Sequence, residues 1–216
     1  MRTVILDSSS IISLSLNSLL DVLRVLRDNY DVRFVITPEV KKEIVDNPIE
    51  MKRFELEALM ISKLLEEKII TVSDEDFEDE THKFYDSANS VYSADGEGLR
   101  LIHGGEASCI ALSSLIPDSV IVVDERTTRM LCEAPENLRK LLKNKLHADI
   151  SIDRSKVSMF SKFKILRSSE LVYVAIKEGL LEFPAAKEQS IEAALYALKY
   201  KGCAISWEEI KEIKEM

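Results

Sequence analysis

The run Val120-Ile121-Val122-Val123 constrains the fold most, because it places apolar, β-branched residues on both faces of a strand. An alternating strand buries one face, whereas a continuous apolar run belongs in a parallel sheet clad by helices on both sides. Similar short runs recur at Thr3–Leu6, Arg33–Ile36, Ile69–Val72 and Phe163–Leu166. Between them lie stretches of helical spacing near Ile11–Arg27, Pro38–Val45, Met51–Glu67, Gly105–Leu115 and Thr127–Lys145. This alternation predicts an α/β fold: a three-layer α/β/α sandwich around a mostly parallel sheet of about five strands.

After the fifth run the texture changes. Ser168–Lys177 reads as a helix closed near Gly179, and Ala185–Tyr200 as a second, stopped by Gly202. Ser206-Trp207-Glu208-Glu209 has the spacing of a capping box and opens a third. Residues 1–167 are therefore expected to form the α/β domain, and 168–216 a helical extension packed on its core. The segment Ser73–His103 exceeds the usual connection and is expected to be a flap or partly helical.

Composition narrows the function classes. No apolar run approaches the roughly 20 residues of a membrane span, and the N-terminus lacks the pattern of a secretory signal. Cys109, Cys132 and Cys203 lack zinc spacing and fit buried thiols in a reducing compartment, so a cytoplasmic location is expected. The net charge of −9 argues against indiscriminate binding of polyanions. That charge is unevenly spread. From Arg139 to Arg167 nine basic residues face two acids, while from Asp74 to Glu106 ten acids face two basic residues.

The first strand run stops on Asp7, with Ser8, Ser9 and Ser10 beside it. Asp and Ser are favoured as helix caps, which accounts for the pattern locally. The alternative is that Asp7 sits at the carboxyl end of a central strand, where open α/β sheets place their ligands. Other acids occupy equivalent places. Val120–Val123 runs into Asp124; Arg33–Ile36 leads through Thr37-Pro38 to Glu39 and Glu43, one helical turn apart; and Glu106 stands in the first turn of a helix opened by Gly104-Gly105. Each alone is explained by capping or by the helix dipole. Together they crowd one sheet edge with like charges, which a hard divalent cation held by oxygen ligands would neutralise.

Asp7 in VILDSSSII, Glu43 in TPEVKKEI, Glu106 in GGEASCIAL and Asp124 in VIVVDERTTRML give the chain a resemblance to the PIN-domain ribonucleases, over residues 1–167. The resemblance implies an α/β sandwich and Mg²⁺- or Mn²⁺-dependent cleavage of RNA phosphodiester bonds. It implies that Asp7, Glu43, Glu106 and Asp124 are catalytic, with Asp7, Glu106 and Asp124 on the metal, and that Ser8 or Ser9 is the family's hydroxyl beside the first acid. Glu125 follows Asp124 where many members carry another Asp. The chain is longer than the compact toxin nucleases of that family, so RNA processing, RNA quality control and toxin-type cleavage all stay open. A homodimer, an antitoxin or an RNA-processing partner protein is compatible with each.

An acidic site repels RNA, so a local positive surface is expected to hold it. The candidates are Lys140, Lys143 and Lys162 in the basic stretch, with Arg126 and Arg129 one turn past Asp124; for either arginine a salt bridge is an equal alternative. Two other readings compete. Phosphatases of the dehalogenase class also begin with Asp after a first strand but want a second acid two residues on, where this chain has Ser9. A PIN fold without activity, binding RNA or a protein partner, is the non-enzymatic alternative.

Overall fold

The computed structural model describes residues 1–215. Its centre is a five-stranded, wholly parallel sheet: β1 (Arg2–Leu6), β2 (Val32–Ile36), β3 (Ile70–Val72), β6 (Val120–Val122) and β8 (Lys164–Leu166), in the order β3-β2-β1-β6-β8. All five expected runs are strands of this sheet. β1 is central, with Val4 beside Phe34 on one side and Val120 on the other. Ile5, Leu6, Ile36 and Val122 are wholly buried, as strands covered on both faces require.

Helices cover both faces. On one, α1 (Ser8–Leu16) packs on α4 (Glu55–Glu66) and α10 (Ser168–Lys177), which also meets α2 (Asp21–Asn29). On the other, α6 (Gly104–Leu115) packs on β1, β6 and α5 (Glu78–Ala88). The three-layer sandwich is thus as expected. α11 (Lys187–Tyr200) packs on α10, and α12 (Trp207–Glu215) packs on α11. Ile191, Leu195, Leu198, Ile210 and Ile213 join the same apolar cluster as the strands. The capping box at Ser206 is formed: Glu209 N–H donates to Ser206 Oγ at 3.1 Å, and Ser206 N–H to Glu209 Oε2 at 2.7 Å.

Boundaries differ where local chemistry overrides periodicity. The stretch Ile11–Arg27 is two helices meeting at 112°, broken at Ser18, which takes a positive φ of 58°. Pro135 divides Thr127–Lys145 into α7 (Arg126–Glu133) and α8 (Pro135–Leu146), since proline at a helix interior would clash with the preceding turn. Ser73–His103 contains α5 and a hairpin, β4 (Tyr92–Ala94) and β5 (Glu97–Gly98). Asp95 and Gly96 both have positive φ, as a tight two-residue hairpin turn requires. β4 also pairs antiparallel with β7 (Ile150–Ile152), forming a small second sheet that the sequence patterns do not signal. The last short helices are α3 (Pro38–Lys41) and α9 (Arg154–Val157). Among the described residues no single helix is long and apolar enough to cross a membrane.

Candidate functional site

Asp7 continues the ladder of β1 through its backbone, donating its N–H to Val122 O at 3.0 Å. Its side chain turns to α1, where Oδ2 accepts from Ser9 N–H at 3.0 Å and from Ser9 Oγ at 2.5 Å. The capping reading therefore holds for one oxygen. The other, Oδ1, is buried and has no hydrogen-bond partner among the described residues. Burial raises the Asp7 carboxyl to about 7; Glu106 and, more weakly, Glu43 push in the same direction against the Ser9 hydrogen bonds. Of the two serines foreseen beside the first acid, Ser9 makes the contact.

Glu43 reaches this edge by an unusual backbone. α3 is capped by Thr37, whose Oγ1 accepts from Val40 N–H at 3.1 Å and lies 2.7 Å from Ser108 Oγ on α6. The helix then loosens into a π-helical turn, Lys42–Asp46, a feature frequent at functional sites. Glu43 lies against Gly105: a Cβ there would stand 2.7 and 2.8 Å from the two Glu43 carboxylate oxygens. Glu106 follows at once, its Oε2 accepting from His103 N–H at 2.6 Å and its Oε1 from Thr128 Oγ1 at 3.2 Å. Burial raises its pKa; Glu125 and then Glu43 add to the shift against the hydrogen bonds from His103 and Thr128.

The wholly buried thiol of Cys109 marks where these acids meet. Burial raises its pKa well above the ordinary value, with further contributions from Asp7, Glu106, Glu43 and Glu39. Glu39, one turn before Glu43, is the acid that the four-residue set omits. Its Oε2 is also buried without a hydrogen-bond partner among the described residues.

Asp124 behaves differently. It lies at the end of the β6 segment and is as buried as Asp7. Its Oδ1 accepts from Ser168 N–H at 2.8 Å and its Oδ2 from Ser168 Oγ at 2.5 Å, so both oxygens cap α10. Burial raises its pKa, while Ser168 and Ser13 hold it down. Its own N–H donates to Ser9 Oγ at 3.0 Å, so Ser9 links the backbone of one aspartate to the carboxylate of the other. At this edge Asp7, Glu43 and Glu106 act on one another, while Asp124, joined to Asp7 through Ser9, has its carboxylate turned to α10. Among the described residues no three His, Cys, Asp or Glu side chains stand as a ready ion cage.

The basic residues also separate. Arg129 is drawn into an ion-pair network, 2.6 Å from Glu209 Oε1 and 3.2 Å from Ala204 O. Arg167 shares Glu209 at 2.7 Å and also pairs with Glu170. Burial would raise the Glu209 carboxyl, but the two arginines and the Ser206 N–H hold it down at about 2. Arg129 is therefore a structural ion partner, the salt-bridge alternative. Lys143 pairs with Asp149 at 2.6 Å. Lys162 precedes β8 and so lies at the amino edge of the sheet, beside Asp118 and opposite the acids. Ser8, which caps nothing, opens α1. Arg126 and Lys140 line one groove of about 640 Å³ between α7 and α8, together with Lys145, Asn137 and Asn144. None of these three cations has an acidic partner among the described residues.

Compared with protein-family models, with curated proteins and with solved structures, the chain matches none.

Proposed function

We propose that the chain is a metal-dependent ribonuclease of the PIN type, cleaving RNA phosphodiester bonds at the edge formed by Asp7, Glu43 and Glu106. The observation that carries this reading is Asp7: a buried carboxylate with one unpartnered oxygen, among further acids, in a fold that could have capped α1 with serine alone. An unpaired buried charge is costly unless a counter-ion or a proton relieves it. Mg²⁺ or Mn²⁺ fits the donor set, since the charged groups are carboxylate oxygens and burial keeps the Cys109 thiol beside them protonated. Asp7 Oδ1, Glu43 and Glu106 would hold it, and Gly105 leaves the space that Glu43 occupies. When bound, such an ion supplies an activated water and shields the charge developing on phosphorus.

The chain's own groups have separable roles in this reading. Ser9 fixes the Asp7 rotamer through two hydrogen bonds to Oδ2, leaving Oδ1 without a hydrogen-bond partner among the described residues. Asp124 holds the α10 N-terminus against β6 and, through Ser9, keeps Asp7 in register. Arg126, Lys140 and Lys145 line the groove between α7 and α8, the first of which opens two residues past Asp124, and would engage the RNA backbone.

The test is incubation of the protein with single-stranded and structured RNAs and Mn²⁺, comparing wild type with Asp7→Asn. Cleavage by wild type and none by the variant is expected. The second reading, an inactive RNA- or protein-binding PIN scaffold, draws on Asp124, whose oxygens are both taken by Ser168. RNA retention without cleavage in Mn²⁺ and Mg²⁺ would decide for the scaffold.

A further inference from the structure

An apolar groove between α1, α4 and the π-helical turn holds one polar group that the fold leaves unused. Its volume is about 480 Å³, within the roughly 300–1,000 Å³ of pockets that take small organic groups. Ile12, Leu16, Met51 and Phe54 line it, each between 41% and 52% exposed. Ser15 shares that lining but is only 6% exposed, and its hydroxyl has no hydrogen-bond partner among the described residues. Other serines of α1 are satisfied locally: Ser10 Oγ donates to Asp7 O and Ser13 Oγ to Ser9 O, each at 2.8 Å. A buried hydroxyl without a partner costs free energy, which a ligand able to pair with it recovers. Glu43 ties the groove to the candidate site, since it lines the one and acts on Asp7 and Glu106 in the other.

We propose that this groove is a base-binding subsite, taking one unpaired nucleobase of a nucleotide next to the phosphate at the acids. The position of that phosphate rests on the ribonuclease reading. A base is joined to its phosphate through one sugar, so a phosphate at Asp7, Glu43 and Glu106 brings a neighbouring base to the groove that Glu43 borders. The charges favour a base over the backbone. The charged residues lining the groove are Glu43 and Glu57, with no lysine or arginine among the described lining residues, so it repels phosphate. The groove between α7 and α8 is the reverse, with Arg126, Lys140 and Lys145 and no aromatic ring among its described lining residues. The two grooves thus suit the two chemical halves of a nucleotide. Phe54 offers a ring for stacking and Met51 a polarisable apolar contact. Ser15 Oγ can donate to or accept from the polar edge of a base, and Glu57 can accept from an exocyclic amino group. A purely apolar protein segment would cover the walls and leave Ser15 unpaired.

The test is the affinity of the full chain for a labelled hexaribonucleotide and for its abasic counterpart, which keeps every phosphate and lacks every base. Binding is followed by fluorescence anisotropy in metal-free buffer at low salt, with melting curves as the control for folding. Wild type is expected to bind the intact RNA at least tenfold more tightly than the abasic one. Phe54→Ala, at an exposed position, should lose about tenfold on the intact RNA and nothing on the abasic one. Ser15→Ala removes the unpaired hydroxyl and should not lower Tm, but should narrow the spread of affinities among hexamers of A, C and U. Equal binding of intact and abasic RNA, no RNA binding at all, or Phe54→Ala binding the intact RNA like wild type overturns the proposal and leaves the groove to an apolar segment of another protein. An unchanged spread in folded Ser15→Ala overturns the role of Ser15. Incubating the same RNAs with Mn²⁺ separates the two readings. Base-dependent binding through Phe54 without cleavage upholds the subsite and sinks the ribonuclease, whereas cleavage without base dependence does the reverse.

Discussion

Asp7 and Asp124 end neighbouring strand segments, are equally buried, and differ in what their oxygens do. Asp124 meets Ser168 with both and is part of the fold's scaffolding. Asp7 satisfies one oxygen on Ser9 and leaves the other unpartnered among acids. Position at the carboxyl edge of a parallel sheet therefore does not assign a role. What separates these two aspartates is the unpartnered oxygen of Asp7; Glu106, whose oxygens accept from His103 and Thr128, belongs with Asp7 because the two carboxylates act on one another.

Cleavage separates the two aspartates most strongly. Asp7→Asn should lower Mn²⁺-dependent RNA cleavage by on the order of a thousandfold, comparable to removing a principal electrostatic group elsewhere. Next comes stability. Asp124→Ala leaves Ser168 N–H without its acceptor at a buried helix start and should cost about 2 kcal/mol, lowering Tm by roughly 4–8 °C. Asp7→Asn should do the opposite at alkaline pH. Because its folded pKa is raised to about 7 from 3.8, the folded state holds the proton more tightly than the unfolded state. That contribution is fully favourable below pH 3.8, declines as pH rises towards 7, and is gone above it. In metal-free buffer the variant's Tm advantage should therefore grow from pH 4 to about pH 7 and level off above it; a constant advantage would mean that the Asp7 charge costs the fold nothing.

Smaller effects follow from the flanks. Gly105→Ala should displace the Glu43 carboxylate, which can swing aside, so cleavage should fall about tenfold with little change in Tm. Neutralising Arg126, Lys140 and Lys145 together should flatten the salt dependence of RNA binding by up to about three units of slope. Neutralising Lys143 and Lys162, which lie outside that groove, should leave the slope unchanged.

Much of the frame was legible because it is written in short-range chemistry. All five parallel strands follow from apolar runs such as Val120–Val123, and Gly202 and the Ser206 box mark helix ends as expected. Helix breaks at Ser18 and Pro135 were harder, since apolar spacing continues across both. Ser18 gives no warning of its positive φ, but Pro135 was a readable stop. Within the site, Asp7 and Glu106 announce themselves by following a strand and opening a helix. Glu39 was visible as the partner of Glu43 one turn on. The fate of Asp124 was not readable, because Ser168 lies 44 residues away and meets it only through the pairing of β6 with β8. The same holds for Arg129, whose partner Glu209 comes from α12.

The most direct test of the difference between the two aspartates is a calorimetric titration of Mn²⁺ into metal-free protein at pH 8. Wild type and Asp124→Asn, each verified as folded, should bind the ion, and Asp7→Asn should not. Binding retained in Asp7→Asn and lost in folded Asp124→Asn would contradict the account.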